Sequence, residues 1–436
     1  MKRTDFLIVG GSAAGTTAAE VIRGLTPNSS ITIITDEPHE EYSRVLLPQY
    51  ITHKVTRETL FLKKTLWYEE NKIELVKGAR VVSLDSKTHR LKNERGEEYQ
   101  FGKLLIAVGG YPLKLSVPGD DLENIHYLRT LEDADRFIET CKSGPSRLRV
   151  HPEGSPRGAS KKGVIVGGGL VSLDFAEGMK ANGIGEVTIL VREPYYWAGK
   201  LDFDSSRIIK SELEKNGVRV VAGEEVEKFE PIAGLHPVRV VGVVKTKSGK
   251  TFGCDVVGVG IGIKSDFSWL EGSGIKIDKA IVTNEYLETS LPDIYAAGDC
   301  AQFHDVIFER EHIMGNWANA TSQGAAVART MSGVKTLFES ASSYSDTFFE
   351  GKYSFLGVTD EKFADEVVER GTFEAGKKTR IFIKTIGGLM RIVGATIIND
   401  PAEVSPLTSA VKKKIDISAH YKKLGEPEFN MKDLIA

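Results

Sequence analysis

Two short clusters of small residues carry the first chemical signal. Gly10, Ser12, Ala14 and Gly15 lie in FLIVGGSAAGTTAAE at 6–20, and Gly167, Gly169 and Ser172 lie in GVIVGGGLVSLDFAE at 163–177. An apolar run followed by Gly-x-Gly-x-x-Gly is what a backbone needs to cradle a pyrophosphate. The first glycine makes the tight turn, the second lets the phosphates approach, and the third lets the next helix pack on the strand. The helix start then adds N–H groups and the positive end of its dipole. Each cluster has one small-residue departure from the pattern, Ser12 in the first and Ser172 in the second.

A ribose needs a carboxylate at the end of the strand that follows such a turn. In the first copy Asp36 and Glu37 stand there, which suits a nucleotide with a free 2′-hydroxyl. In the second copy the strand ends Val191-Arg192-Glu193. Glu193 suits the ribose of NADH, whereas Arg192 offers a fork for the 2′-phosphate of NADPH. No second base follows Arg192 in EPYYWAG, so NADH is the expected coenzyme. Tyr195, Tyr196 and Trp197 either flank an adenine or pack the loop.

These residues must be held by elements, and the spacing predicts which. Gly10 and Gly167 are equivalent positions in a repeat 157 residues apart. Each copy reads as an apolar strand, a glycine turn, an Ala-rich helix and a second apolar strand, ITIIT at 31–35 and VTILV at 187–191. That is the opening βαβ of a dinucleotide fold, present twice. A chain of 436 residues exceeds one core, so two or three domains are expected. Lys and Arg number 57 against 60 Asp and Glu, a net charge of −3 that argues against nucleic acid as a partner. No apolar run approaches the ~18 residues of a membrane span. The apolar stretch after Lys2 and Arg3 stops at Gly10, too early for a secretory leader. Cys141, Cys254 and Cys300 are the only cysteines and form no Cys-x-x-Cys pair, so a reducing, cytoplasmic setting is expected.

Further segments carry a family resemblance. LLIAVGGYPLKLSVPG at 104–119, with Ala107 and Gly109, resembles the ATGxxPxxxxxPG crossover of the two-dinucleotide flavoproteins, with Val108 where Thr is usual. TSLPDIYAAGD at 289–299 resembles their second FAD motif, and GNWANATSQG at 315–324 their W-x-x-A-x-x-QG helix. The chain resembles the pyridine nucleotide-disulfide oxidoreductase superfamily. EPHEEYSRVLLPQYI at 37–51 is typical of its branch of NADH oxidases, rubredoxin and ferredoxin reductases and nitrite reductase flavin domains.

The resemblance implies an α/β fold with two Rossmann-like domains, for FAD and for NAD(P), and a C-terminal α+β interface domain. The expected boundaries are 1–117 with 280–333 for FAD, 118–279 for NAD(P), and 334–436 for the interface or dimerisation domain. Asp299 would hydrogen-bond the ribityl chain, and the helix after Trp317 would aim its N-terminus at the flavin. Arg44 matches a basic residue beside the flavin. Asp174 matches an acid at the nicotinamide, one methylene shorter than the usual Glu. Disulfide reductases and NADH peroxidases of the superfamily place redox cysteines after the first ribose-binding strand, but residues 37–60 contain none. Electrons are therefore expected to leave directly from FAD, with Cys300 a packing residue.

The resemblance predicts hydride transfer from NAD(P)H to FAD, then electron transfer to a rubredoxin- or ferredoxin-type protein, a quinone or a dye. The rival expectations are an oxidase that reduces oxygen, and an electron-transfer or redox-sensing subunit of a complex. Residues 142–162, with six Lys or Arg and one Glu, read as a mobile basic insertion. That segment, Lys412-Lys413-Lys414 and Lys422-Lys423 either steer an acidic iron–sulfur carrier or are solvated surface. A homodimer is the expected assembly where the chain is not part of a complex.

Overall fold

The computed structural model describes residues 1–143, 160–232 and 239–435. Most of the 142–162 segment thus lies outside the described residues. The chain divides into two compact units. The first comprises Met1–Val45, Arg57–Tyr111 and Lys264–Tyr344; the second comprises Leu46–Thr56, Pro112–Ile263 and Ser345–Ala436.

In the first unit the apolar run at the N-terminus forms β1 (Lys2–Val9), followed by α1 (Ala13–Leu25) and β2 (Ile31–Ile34). β1 pairs in parallel with β2 on one side, Ile8 opposite Ile33, and with Glu98–Ile106 on the other, Ile8 opposite Leu105. The sheet has seven strands, with Ile294–Ala296 pairing beside Glu98–Ile106. Strands covered on both faces read as continuous apolar runs rather than alternating ones. Leu7, Ile8, Ile33, Ile34, Leu104 and Leu105 are accordingly all buried.

The second unit repeats the plan with β3 (Lys162–Val166), α2 (Leu170–Ala181) and β4 (Glu186–Val191). β3 pairs in parallel with β4 and with Val256–Val259, inside a five-stranded sheet. The same unit holds a separate five-stranded sheet near the C-terminus. Its long hairpin, Lys377–Ile386 and Leu389–Ile398, turns at Gly387 and Gly388, whose φ values of +60° and +81° suit a two-residue primed turn. The architecture is α/β with two Rossmann-like sheets and a C-terminal α+β part.

Candidate functional site

The first glycine turn is closed by backbone at its first and third glycines. Gly10 has φ of +117°, and a Cβ there would stand 2.1 Å from the Ala107 carbonyl oxygen. A Cβ on Gly15 would stand 1.9 Å from the Gly10 oxygen. No other residue type fits either place without moving the turn. Ser12 precedes α1 without a side-chain cap bond, so the helix start is left to another partner. The turn opens on a cavity of about 310 Å³ lined by Gly10, Ser12, Asp36, Glu37, Arg44 and Tyr111 among others.

Both acids after β2 line this cavity, and each is held differently. The Glu37 carboxylate accepts from the Tyr42 hydroxyl at 2.6 Å and pairs with Arg44. Arg44 also reaches Ser12 Oγ at 3.4 Å and lies over the Tyr42 ring, 5.3 Å from its centroid. Burial works against the Arg44 charge, but Glu37 and Tyr42 outweigh it and raise its pKa. Asp36 instead accepts from the Tyr111 hydroxyl at 2.6 Å and from Arg80 at 3.4 Å, with the Arg80 guanidinium over the Tyr111 ring. Burial, then the Asp36 carboxylate, pushes the Tyr111 phenol up. Sequence reasoning missed Tyr42, Arg80 and Tyr111. Their signal was a pattern of aromatic and basic residues outside the glycine motif, with no spacing to mark it.

The 289–324 motifs complete the first unit. Gly298 has φ of +84°, and its N–H donates to Gln323 Oε1 at 2.7 Å. The next residue, Asp299, has its carboxylate 3.6 Å from where a Cβ on Gly315 would stand. α3 (Trp317–Met331) begins just beyond, capped by Asn316, whose Oδ1 accepts from the Asn319 N–H at 2.8 Å. Asn316 is itself held by Ser342 Oγ at 2.8 Å. Trp317 is half-buried. A Cβ on Gly324 would stand 2.3 Å from the Ala14 oxygen, so α3 meets α1 backbone to backbone. Gly109, with φ of +62°, accepts at its carbonyl from Ser265 Oγ at 2.6 Å.

The second glycine turn closes in a related way. Gly167 has φ of +124°, and a Cβ there would stand 2.1 Å from the Gly260 oxygen. Ser172 occupies the third position and donates its hydroxyl to the Gly167 carbonyl at 2.9 Å. Gly169 faces open space, and its carbonyl accepts from the Tyr196 hydroxyl at 2.7 Å. Tyr196 is therefore a buried part of the turn. Tyr195 meets Phe203 edge-on and Trp197 packs on Phe355, so both rings take part in loop packing. Arg192 and Glu193 pair with each other at 2.9 Å. Asp174, on α2, is 8% exposed, with Oδ1 lacking a partner. Burial, then Asp346 and Glu177, raises its carboxyl well above the usual range.

The three cysteines are unpaired and buried. Cys300 rests its Sγ 3.4 Å from the Ile106 oxygen and 3.3 Å from that of Ala297, and burial pushes its thiol up to about 12. A thiol so placed is not a ready thiolate. Among the described residues no His, Cys, Asp or Glu group is arranged to hold a metal, and no helix is long and apolar enough to cross a membrane.

The model of the pyridine nucleotide-disulphide oxidoreductase family matches residues 4–324. The chain belongs to that family, whose members are FAD-dependent oxidoreductases that use NAD(P)H. It is 27% identical over 429 residues to the nitrite reductase [NAD(P)H] of Bacillus subtilis (strain 168), covering 96% of this chain and 48% of that protein. The chain thus spans about half the length of that relative. It is 27% identical over 401 residues to rhodocoxin reductase of Rhodococcus erythropolis, covering 92% of this chain and 87% of that one. Its fold matches putidaredoxin reductase, solved in covalent complex with putidaredoxin, with a TM-score of 0.87 over 100% of this chain and 99% of that one at 24% identity.

Proposed function

We propose that this chain passes hydride from NAD(P)H to FAD and then passes electrons, without a thiol relay, to an external acceptor of the ferredoxin or rubredoxin type. The observation that carries the reading is the pair of glycine cradles, each with no room for a Cβ at its first position and each followed by a carboxylate. The first cradle fits the pyrophosphate and adenosine half of FAD. Gly10, Ser12 and the α1 N-terminus would face the phosphates, and Glu37 the ribose, with Arg80 and Tyr111 beside the adenine. Asp299 and the start of α3 would meet the ribityl chain and ring. FAD, when bound, supplies a two-electron acceptor that can release electrons singly.

The remaining chemistry is done by the chain's own groups. Gly167, Gly169 and the α2 N-terminus would hold the nicotinamide nucleotide's pyrophosphate, and Glu193 its adenosine ribose. Asp174, whose carboxyl burial raises well above the usual range, would offer a hydrogen bond at the nicotinamide. Arg44 would keep positive charge at the first cradle. Rhodocoxin reductase, related across most of its length, supports a reductase that passes electrons to an external acceptor. The three-part division at 117, 280 and 333, the homodimer and the cytoplasmic setting belong to the same proposal. The buried, unpaired cysteines support the last of these.

Anaerobic titration of the purified protein with NADH, followed at the flavin bands, tests the reading. Full bleaching, with recovery on adding an oxidised ferredoxin or rubredoxin, is the expected result. Flavin that neither NADH nor NADPH reduces would overturn it. Recovery by oxygen at the rate seen with the carrier proteins would assign an oxidase instead.

A further inference from the structure

Arg192 is the one base that the sequence places at the end of β4, yet the fold supplies a second. Residues 223 and 224 are bonded along that strand end, the Gly223 N–H to the Glu193 oxygen at 3.0 Å and the Glu224 N–H to the Val191 oxygen at 2.9 Å. This brings Glu225, the residue after Glu224, to the Val191–Arg192 end of the strand. Glu225 in turn pairs with Lys247 at 2.5 Å, and the Lys247 N–H donates to the Glu225 oxygen at 2.9 Å. The Arg192 charge also acts on the Glu225 carboxylate. Four exposed charges thus gather where the coenzyme's adenosine ribose is read: Arg192 and Lys247, and Glu193 and Glu225. Their neighbour Glu224 is turned inward onto Lys250 at 2.7 Å and Ser248 at 2.7 Å, and adds nothing to the exposed balance.

Two cations so placed are what a 2′-phosphate requires, since it carries close to two negative charges at neutral pH. Both are occupied by carboxylates of the chain. A 2′-phosphate entering here would have to displace two ion pairs and then sit against two uncompensated carboxylates, whereas a 2′-hydroxyl has only to donate to one of them. We infer that Glu225, acting with Glu193, is a coenzyme-selecting residue that masks a latent 2′-phosphate site made of Arg192 and Lys247. Glu225 does this without touching the ribose. It holds Lys247 and repels the phosphate, and Glu193 does the same for Arg192 while accepting the ribose hydroxyl.

The inference rests on the NAD(P)H reading above, and its test separates the two. Glu225→Gln, Glu193→Gln and the double variant are compared with wild type by the ratio of kcat/KM for NADPH to that for NADH. The dissociation constants of NADP+ and NAD+ are measured in parallel by calorimetry. Exposed charge pairs are individually weak, so each single change is expected to raise the ratio about 3- to 5-fold and the double change about 10- to 30-fold. The gain should appear in NADP+ affinity and shrink at high salt. Lys247→Ala in the double background should return the ratio most of the way. A ratio that stays fixed, or equal losses for both coenzymes, would overturn the inference while leaving the NAD(P)H reading in place. A wild-type flavin reduced by neither coenzyme would overturn both.

Discussion

The turn at Gly10 and its copy at Gly167 share a backbone and differ in what finishes them. Both first glycines have positive φ and abut a carbonyl, of Ala107 in one and Gly260 in the other. At the third position the first copy needs Gly15, because a Cβ would strike the Gly10 oxygen; the second uses Ser172, whose hydroxyl ties back to the Gly167 oxygen. The acids differ more. Glu37 and Arg44 are mostly covered, at 19% and 18% side-chain exposure, and Tyr42 adds a third partner. Glu193 and Arg192 are 37% and 71% exposed and pair with each other. A covered, multiply bonded carboxylate suits a ligand that stays, and an exposed one suits a ligand that comes and goes.

The comparison breaks most visibly at the glycines. Gly15→Ala should cost about 3 kcal/mol or more, at the upper end of overpacking, and yield protein depleted of flavin. Gly169→Ala in the second copy, with open space around it, should stay within about 0.5 kcal/mol. Thermal melts and the flavin-to-protein absorbance ratio check both, and equal losses would mean that Gly15 is no more tightly enclosed than Gly169.

Next in size is the covered acid. Glu37→Gln removes a charged partner from half-buried Arg44 and should weaken FAD binding by about 1.5 to 3 kcal/mol, read by apoprotein reconstitution. Unchanged affinity would remove Glu37 from the ribose site. Smaller again is Ser172→Ala, which deletes one hydroxyl bond and should cost about 1 kcal/mol in stability while NADH still reduces the flavin. Loss of reduction in a folded, flavin-loaded variant would make Ser172 more than a closure.

The smallest effect is expected at Cys300. Cys300→Ser should leave flavin reduction within a few-fold, and alkylating reagents should not inhibit. Burial raises its pKa to about 12 from an ordinary thiol value near ~8.5. The stability linked to its protonated form is then intact below that ordinary value and lost as pH rises toward 12. Sensitivity to alkylation near neutral pH would contradict the geometry.

What the sequence determined by itself was whatever rests on short-range pattern. The two glycine turns, the apolar strands beside them, the AAGD segment before Cys300 and the Gly387-Gly388 hairpin all repeat locally or sit at fixed spacing, because backbone sterics act within a few residues. The cysteine-free stretch at 37–60 was legible for the same reason. Tertiary structure alone decided which partners those residues meet. Asp36 and Glu37 are adjacent in sequence, yet one is bound to Tyr111 and Arg80 and the other to Tyr42 and Arg44. Tyr195, Tyr196 and Trp197 stood open between two readings until Phe203, Gly169 and Phe355 were seen against them. Asp174 shows its burial only once α2 is packed. Lys247 meets Glu225 through a strand connection that no local spacing encodes. Side-chain partners and burial depend on contacts between residues far apart in the chain, and those contacts exist only after the sheets have paired.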